Sequence, residues 1–289
     1  MRKPVVLPVV SVVGGVVGLA VRRVQLSTAF EPGTGLPIAG QPATYAFWAV
    51  AALTALAILV LLRGEHRTFE KCYTSAFRTT SLVQLSGLMA GAVLLVAAGF
   101  FNVEAFRSAP IDLFTGARTV SIVRPFLAVA CLLAAAGTWL TVQKMKSGRQ
   151  VKSVLVLLPG LVGCLWVMSN YQSWAQDPVT EKYVVPLLAV MLSMLTGYFL
   201  PGFAFGKGRV IGTLFVSLLG AAFCVMALGD GLPLCDLSLL LAMLFYLLST
   251  ASILLTNDAK PQPPEGAPGC GGSCQGCTGC GPAPETNQP

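Results

Sequence analysis

Four of the chain's nine cysteines, Cys270, Cys274, Cys277 and Cys280, fall in the single string GCGGSCQGCTGCG. Thiolates at this density are soft donors that hold zinc or an iron–sulfur cluster. The interleaved glycines reach the positive backbone angles needed to wrap a small inorganic centre. In a reducing compartment such cysteines stay unpaired rather than forming disulfides. The four are therefore the candidate metal ligands of the sequence. The alternative is a glycine-rich tail of free or redox-active thiols, which is the default for a low-complexity segment. A cluster also needs an apolar shell and hydrogen-bond donors, and this short polar stretch scarcely supplies them.

The spacing Cys-x-x-x-Cys-x-x-Cys-x-x-Cys is the reverse order of the bacterial ferredoxin run. Its first three cysteines also match the spacing of the radical-SAM signature, but there is no barrel domain to hold that chemistry. Pro261, Pro263, Pro264 and Pro268 precede the string and read as a disordered linker. The remaining cysteines, Cys72, Cys131, Cys164, Cys224 and Cys235, are scattered and read as small apolar packing residues.

Other chemistry is thin. The single histidine, His66, stands between Glu65 and Arg67, so histidine-based metal sites and Ser-His-Asp triads lack partners. Ion-coupled transporters keep an acidic group or histidine inside the membrane. None is expected here: Glu104, Asp112, Asp177, Glu181, Asp230 and Asp236 read as lying in loops on one side, and Glu65, His66 and Glu70 in a basic loop on the other. Coupled transport is thereby disfavoured, and no catalytic residues are assigned.

The elements that must position all this are membrane spans. Hydrophobic residues make up 55% of the chain and charged residues 11%, against roughly 25% charged in an average soluble domain. Eight apolar runs stand out, over residues 4–21, 46–62, 82–101, 122–142, 153–169, 184–205, 210–228 and 237–255. Each has about the 20 residues that, at ~1.5 Å each, cross a ~30 Å hydrocarbon layer. The fold class is thus an all-helical, polytopic transmembrane bundle over residues 1–255, with a Pro/Gly/Cys-rich tail over 256–289. The first run ends at Arg22 and Arg23 rather than at a small-x-small cleavage site, so an uncleaved anchor is expected.

Counting basic residues on alternate loops orients the chain. With the N-terminus inside, the inner side holds thirteen of the 19 Lys and Arg; the outer side holds Arg22, Arg23, Arg107, Arg118, Arg124 and Lys182. Both termini are then cytoplasmic. A net charge of +7 is used to flank spans, so nucleic acid is not an expected partner; the lipid bilayer is.

Pro8, Pro159, Gly160, Pro186 and Pro201 perturb several spans. Broken helices line transporter sites, yet proline and glycine are ordinary in membrane helices, where neighbours resatisfy the backbone. The ordinary reading is preferred. Glycines four apart, Gly14 and Gly18, Gly87 and Gly91, Gly202 and Gly206, suit close helix packing within the bundle more than dimerisation. Tyr171, Trp174 and Tyr183, in an aromatic loop from Asn170, read as interfacial anchors.

The segments RRVQLSTAFEPGTGLPIAG and YQSWAQDPVTEKYVVPLLAVMLSMLTGYFLPGFAFGKGR resemble stretches in uncharacterised multi-pass membrane proteins of clostridia and related Gram-positive bacteria. The resemblance implies a bacterial origin and this topology; that group has no assigned activity, so no site residue carries over. The expectation is a protein of the bacterial cytoplasmic membrane, non-enzymatic, with a sensing or scaffolding role and a membrane-protein partner. It requires no cofactor. The alternatives are a permease or channel for a small neutral solute, motivated by interruptions in the fifth and sixth spans, and a metal-binding or redox role of the four-cysteine tail.

Overall fold

A computed structural model describes residues 3–31, 36–64, 73–110, 120–147, 149, 151–176, 180–205 and 208–259. The chain divides into two units, Met1–Ala259 and Lys260–Pro289. The second lies outside the described residues, and with it lie Cys270, Cys274, Cys277, Cys280 and the expected disorder of the tail. His66, Glu65, Glu70, Cys72, Asp112, Asp177 and Gly206 also lie outside them.

The first unit is all helix. In chain order it contains α1 (Lys3–Thr28), α2 (Pro42–Leu61), the short α3 (Tyr73–Phe77), α4 (Leu82–Ser108), α5 (Arg124–Ser147), α6 (Ser153–Gln176), α7 (Val184–Gly202), α8 (Val210–Ala227) and α9 (Leu234–Asp258). Single 3-10 turns, Thr180–Lys182 and Leu228–Asp230, precede α7 and follow α8. The described residues contain no strand, only an isolated bridge between Phe30 and Pro37. Among the described residues all the helices except α3, eight in number, are long and apolar enough to cross a membrane. In hydrocarbon no water satisfies a free N–H or C=O, so each crossing must close its hydrogen bonds within itself, as a helix does.

Several helices outrun the apolar runs that announce them. The 26 residues of α1 rise about 39 Å and carry the helix through Arg22 and Arg23 to Thr28, past the expected end at Val21. Likewise α6 runs on through Asn170, Tyr171 and Trp174, residues expected in a loop, and α9 begins at Leu234, so Cys235 and Asp236 sit in its first turn. Hydropathy marks where side chains stop being apolar. The backbone ladder continues as long as the polar side chains beyond that point find partners.

The helices run through their prolines, as the ordinary reading expects. Pro8 sits inside α1 and Pro159 inside α6, both continuous; Pro201 sits in the last turn of α7, and Phe203–Phe205 turn away from the helix.

Close approach sets the packing order. A Cβ on Gly15 would come within 3.0 Å of the Ala222 carbonyl and within 2.8 Å of the Val225 side chain, and one on Gly14 within 2.5 Å of Thr54. Helix α1 is thus wedged between α2 and α8. Gly87 and Gly91 play the same part between α4 and α9, against Ser249 and the Ala242 carbonyl. These stripes serve contacts inside the bundle. Of the α8 span 78% is buried, against 22% for α1 and for α2, so α8 is central while α1 and α2 face outward with Val5, Val9, Leu53 and Leu56 exposed. Apart from a small cluster of Ala29 and Phe30, the buried apolar side chains described form two layers. One, around Phe47, Leu127, Trp166 and Leu239, lies toward the end where α1 finishes; the other, around Phe77, Met145, Phe203 and Leu254, lies toward the end where α1 starts.

Candidate functional site

The polar residues with the most unusual environment gather at the end of the bundle where α1, α4, α6 and α8 finish and α2, α5, α7 and α9 begin. They form two centres, each built on an arginine.

In the first, Arg22 is fully buried more than a turn before the end of α1. Its Nε donates to Asp230 Oδ1 at 2.7 Å, in an ion pair whose side chains are 2% and 5% exposed. One terminal nitrogen donates to Gln25 Oε1 at 3.0 Å and the other to the Lys182 carbonyl at 3.0 Å. The guanidinium also lies 5.5 Å from the centroid of the Phe47 ring, within cation–π range. Gln25 Nε2 donates in turn to Thr44 Oγ1 at 3.3 Å. The centre therefore joins α1, α2, the turn leading into α7 and the turn leaving α8. Its local logic is electrostatic: a cation near the C-terminus of α1 complements the helix dipole, whereas Asp230 at the end of α8 opposes it and is held there by Arg22.

The second centre forms around Arg124, the first residue of α5. One terminal nitrogen donates to Asn102 Oδ1 at 3.4 Å and to Cys235 Sγ at 3.0 Å; the other donates to Asn170 Oδ1 at 3.2 Å. The amide nitrogens of Asn102 and Asn170 donate back to carbonyls of their own helices, Ala98 and Trp166, at 2.8 and 3.0 Å. Beside them the buried Asp236 accepts a 2.7 Å bond from Trp166 Nε1, with Arg124 in electrostatic reach. Asp236 suits the positive N-terminal end of α9, and Arg124, unfavourable at the start of α5, is balanced across the gap by that carboxylate. From Trp166 an aromatic ladder leads away: Trp174 packs edge-on at 5.2 Å, and Tyr183 stacks on Trp174 at 5.2 Å. This centre joins α4, α5, α6 and α9.

Each of the eight spanning helices thus reaches one centre or the other, α7 and α8 through the turns at their ends. Among the described residues two buried polar side-chain atoms lack a partner, Arg124 Nε and Asp230 Oδ2. Breaking a buried ion pair costs far more than forming it returns, because the remaining charge is stranded in a low-dielectric interior. These bonds consequently determine which helix ends can separate.

The expectation that Glu104, Asp230 and Asp236 lie in loops is corrected in part: Glu104 lies near the end of α4, Asp236 in the first turn of α9 and Asp230 in the turn that ends α8. Arg22 and Asp236 are inside helices and buried, and the Asp230 side chain is buried as well. With Asp236 inside a helix and Asp230 buried at the end of another, ion coupling is no longer disfavoured on the ground that every acidic group lies in a loop. A signal was available: Arg22, Arg23 and Arg124 are basic residues on the sparsely basic side that abut an apolar run, where a buried partner is the economical explanation. Their partners were not readable, since Arg22 and Asp230 are 208 positions apart.

The scattered cysteines divide. Cys131, Cys224 and Cys235 are buried and Cys164 is exposed, all as free thiols. Among the described residues no three His, Cys, Asp or Glu side chains group as a metal site. The tail cysteines proposed as ligands lie outside the described residues.

Comparison with protein-family models, curated proteins and solved structures finds no match to this chain.

Proposed function

We propose that this chain is a non-enzymatic component of a bacterial cytoplasmic membrane, with both termini in the cytoplasm, that serves as a sensing or scaffolding platform for a membrane-protein partner. One observation carries the reading. At one end of the bundle the buried charged and amide side chains are directed at one another, and through two centres they tie together the ends of the spanning helices or the turns adjoining them. Such an arrangement favours a fixed body that presents surfaces. The fifth and sixth spans, whose interruptions motivated a permease, are the continuous helices α6 and α7, so that reading keeps only the general suitability of helix bundles.

Tagged full-length chain extracted from native membranes in mild detergent should elute with a membrane-protein partner at fixed stoichiometry, and reporters fused to its C-terminus should score as cytoplasmic. Elution as a lone monomer counts against the platform. Flux of a small neutral tracer through proteoliposomes holding the purified chain would replace it with the permease. The tail is tested separately: if GCGGSCQGCTGCG binds metal, anaerobically purified protein carries it stoichiometrically and Cys274→Ser loses it.

A further inference from the structure

Away from the arginines, a cavity of about 10 Å³ opens between α3, α4, α5, α6 and α9. Five of its lining residues carry hydroxyls: Tyr73, Thr138, Thr141, Tyr246 and Thr250. The three threonines each donate to a carbonyl one turn back in their own helix, Ala134, Gly137 and Tyr246, all at 2.8 Å. A hydroxyl that has donated its proton still offers lone pairs, so these three are acceptors. The two tyrosines are the reverse. Neither phenol makes a hydrogen bond with another described residue, although a tyrosine O–H in such a setting ordinarily finds a partner. Burial first, and then the neighbouring Tyr246 phenol, push the Tyr73 hydroxyl well above the ordinary tyrosine range, so it stays protonated and able to donate.

Residues with unused donors and acceptors therefore line a space at the lower limit of what admits one water, and a buried water takes two to four polar partners. We propose that this cavity is a binding site for a single water molecule, which accepts from the Tyr73 and Tyr246 hydroxyls and donates to threonine oxygens of α5 and α9. Tyr73 belongs to α3, the five-residue helix that crosses nothing. The water links that helix to the bundle from within. Tyr73 also stacks on Phe77 at 4.6 Å, and Phe77 meets Phe203 edge-on at 5.4 Å, so the hydrated side of α3 lies opposite an apolar seat. The inference is independent of the platform role.

Hydroxyl-radical footprinting of the full chain in detergent, in water enriched in oxygen-18, reads it directly. A trapped water generates the radical beside its partners. Tyr73 and Tyr246 should take up the heavy oxygen, while the fully buried Phe47 should not. Thr141→Ile, which fills the space, should abolish the label on both tyrosines and leave it on the exposed Tyr171. Tyr73 and Tyr246 as silent as Phe47 would overturn the proposal. Thermal unfolding gives an independent sign. Around a bound water, Tyr246→Phe and Tyr73→Phe remove a hydrogen bond and lower Tm; in a dry cavity they delete an unsatisfied hydroxyl, and an unchanged or raised Tm likewise overturns it.

Discussion

The two ends of the bundle use the same residue types in opposite ways. At one end Arg22 is buried against Asp230, and Arg124 is enclosed by Asn102, Asn170 and Cys235. At the other, Arg63, Arg78, Lys146, Arg149, Lys152 and Arg209 are exposed, and the joints are neutral: Asn257 Nδ2 donates to the Ala76 and Arg78 carbonyls at 2.7 and 3.1 Å, and Gln84 bridges Thr79 and Thr256 at 2.6 and 3.0 Å. An arginine at a span boundary is thus a topological marker when its head stays in water and a joint when helices enclose it. Neighbours decide which, because the cost of desolvating the head is recovered only where acceptors surround it.

This contrast can be broken by experiment. Asp230→Ala strands Arg22 and should cost about 3–5 kcal/mol, read as a large fall in unfolding temperature in detergent. The apolar pair Arg22→Met with Asp230→Leu should recover most of it, since a buried ion pair often exchanges for hydrophobic residues at little cost. A single variant that melts with the wild type would erase the distinction between the ends. Next in size, Arg124→Gln removes hydrogen bonds from a charged donor to three helices, a loss of about 2 kcal/mol, and hydrogen exchange should rise first in the opening turns of α5 and α9.

The neutral end should respond less. Asn257→Ala removes both bonds to the segment around α3 and should cost about 1 kcal/mol, with amide exchange rising over Ala76–Thr79 before any global change. Arg149→Gln, at an exposed head with no bonded side-chain partner among the described residues, should stay within about 0.5 kcal/mol of wild type. If it destabilises as much as Arg124→Gln, exposure is not what separates the two classes.

These differences also show what the sequence could disclose. The eight crossings were legible because hydropathy over about 20 residues is a local property, and the bilayer imposes that length on each helix separately. The arginine centres were not, because they are made of pairings between distant positions. Nothing near Asp236 announces Trp166, 70 positions away, and nothing near Asn102 announces Arg124 across a loop. Helix ends suffered for the same reason: α1 reaches Thr28 because Arg22 is satisfied by residues near positions 182 and 230. Glycine use was half legible. The spacing of Gly87 and Gly91 marked a close contact, but only the packing of α4 on α9 says with which helix.

The grouping of helices by centre carries a consequence for how the protein is made. The first centre draws on α1, α2, α7 and α8, so Arg22 enters the membrane long before Asp230 is translated. At ordinary synthesis rates of ~5–20 residues per second the 208 positions between them represent roughly 10 to 40 s of ribosome travel. During that interval a lone guanidinium must be sheltered at the headgroup layer or by the insertion machinery, and a chain released before α8 would leave it orphaned, a ready mark for quality-control proteases.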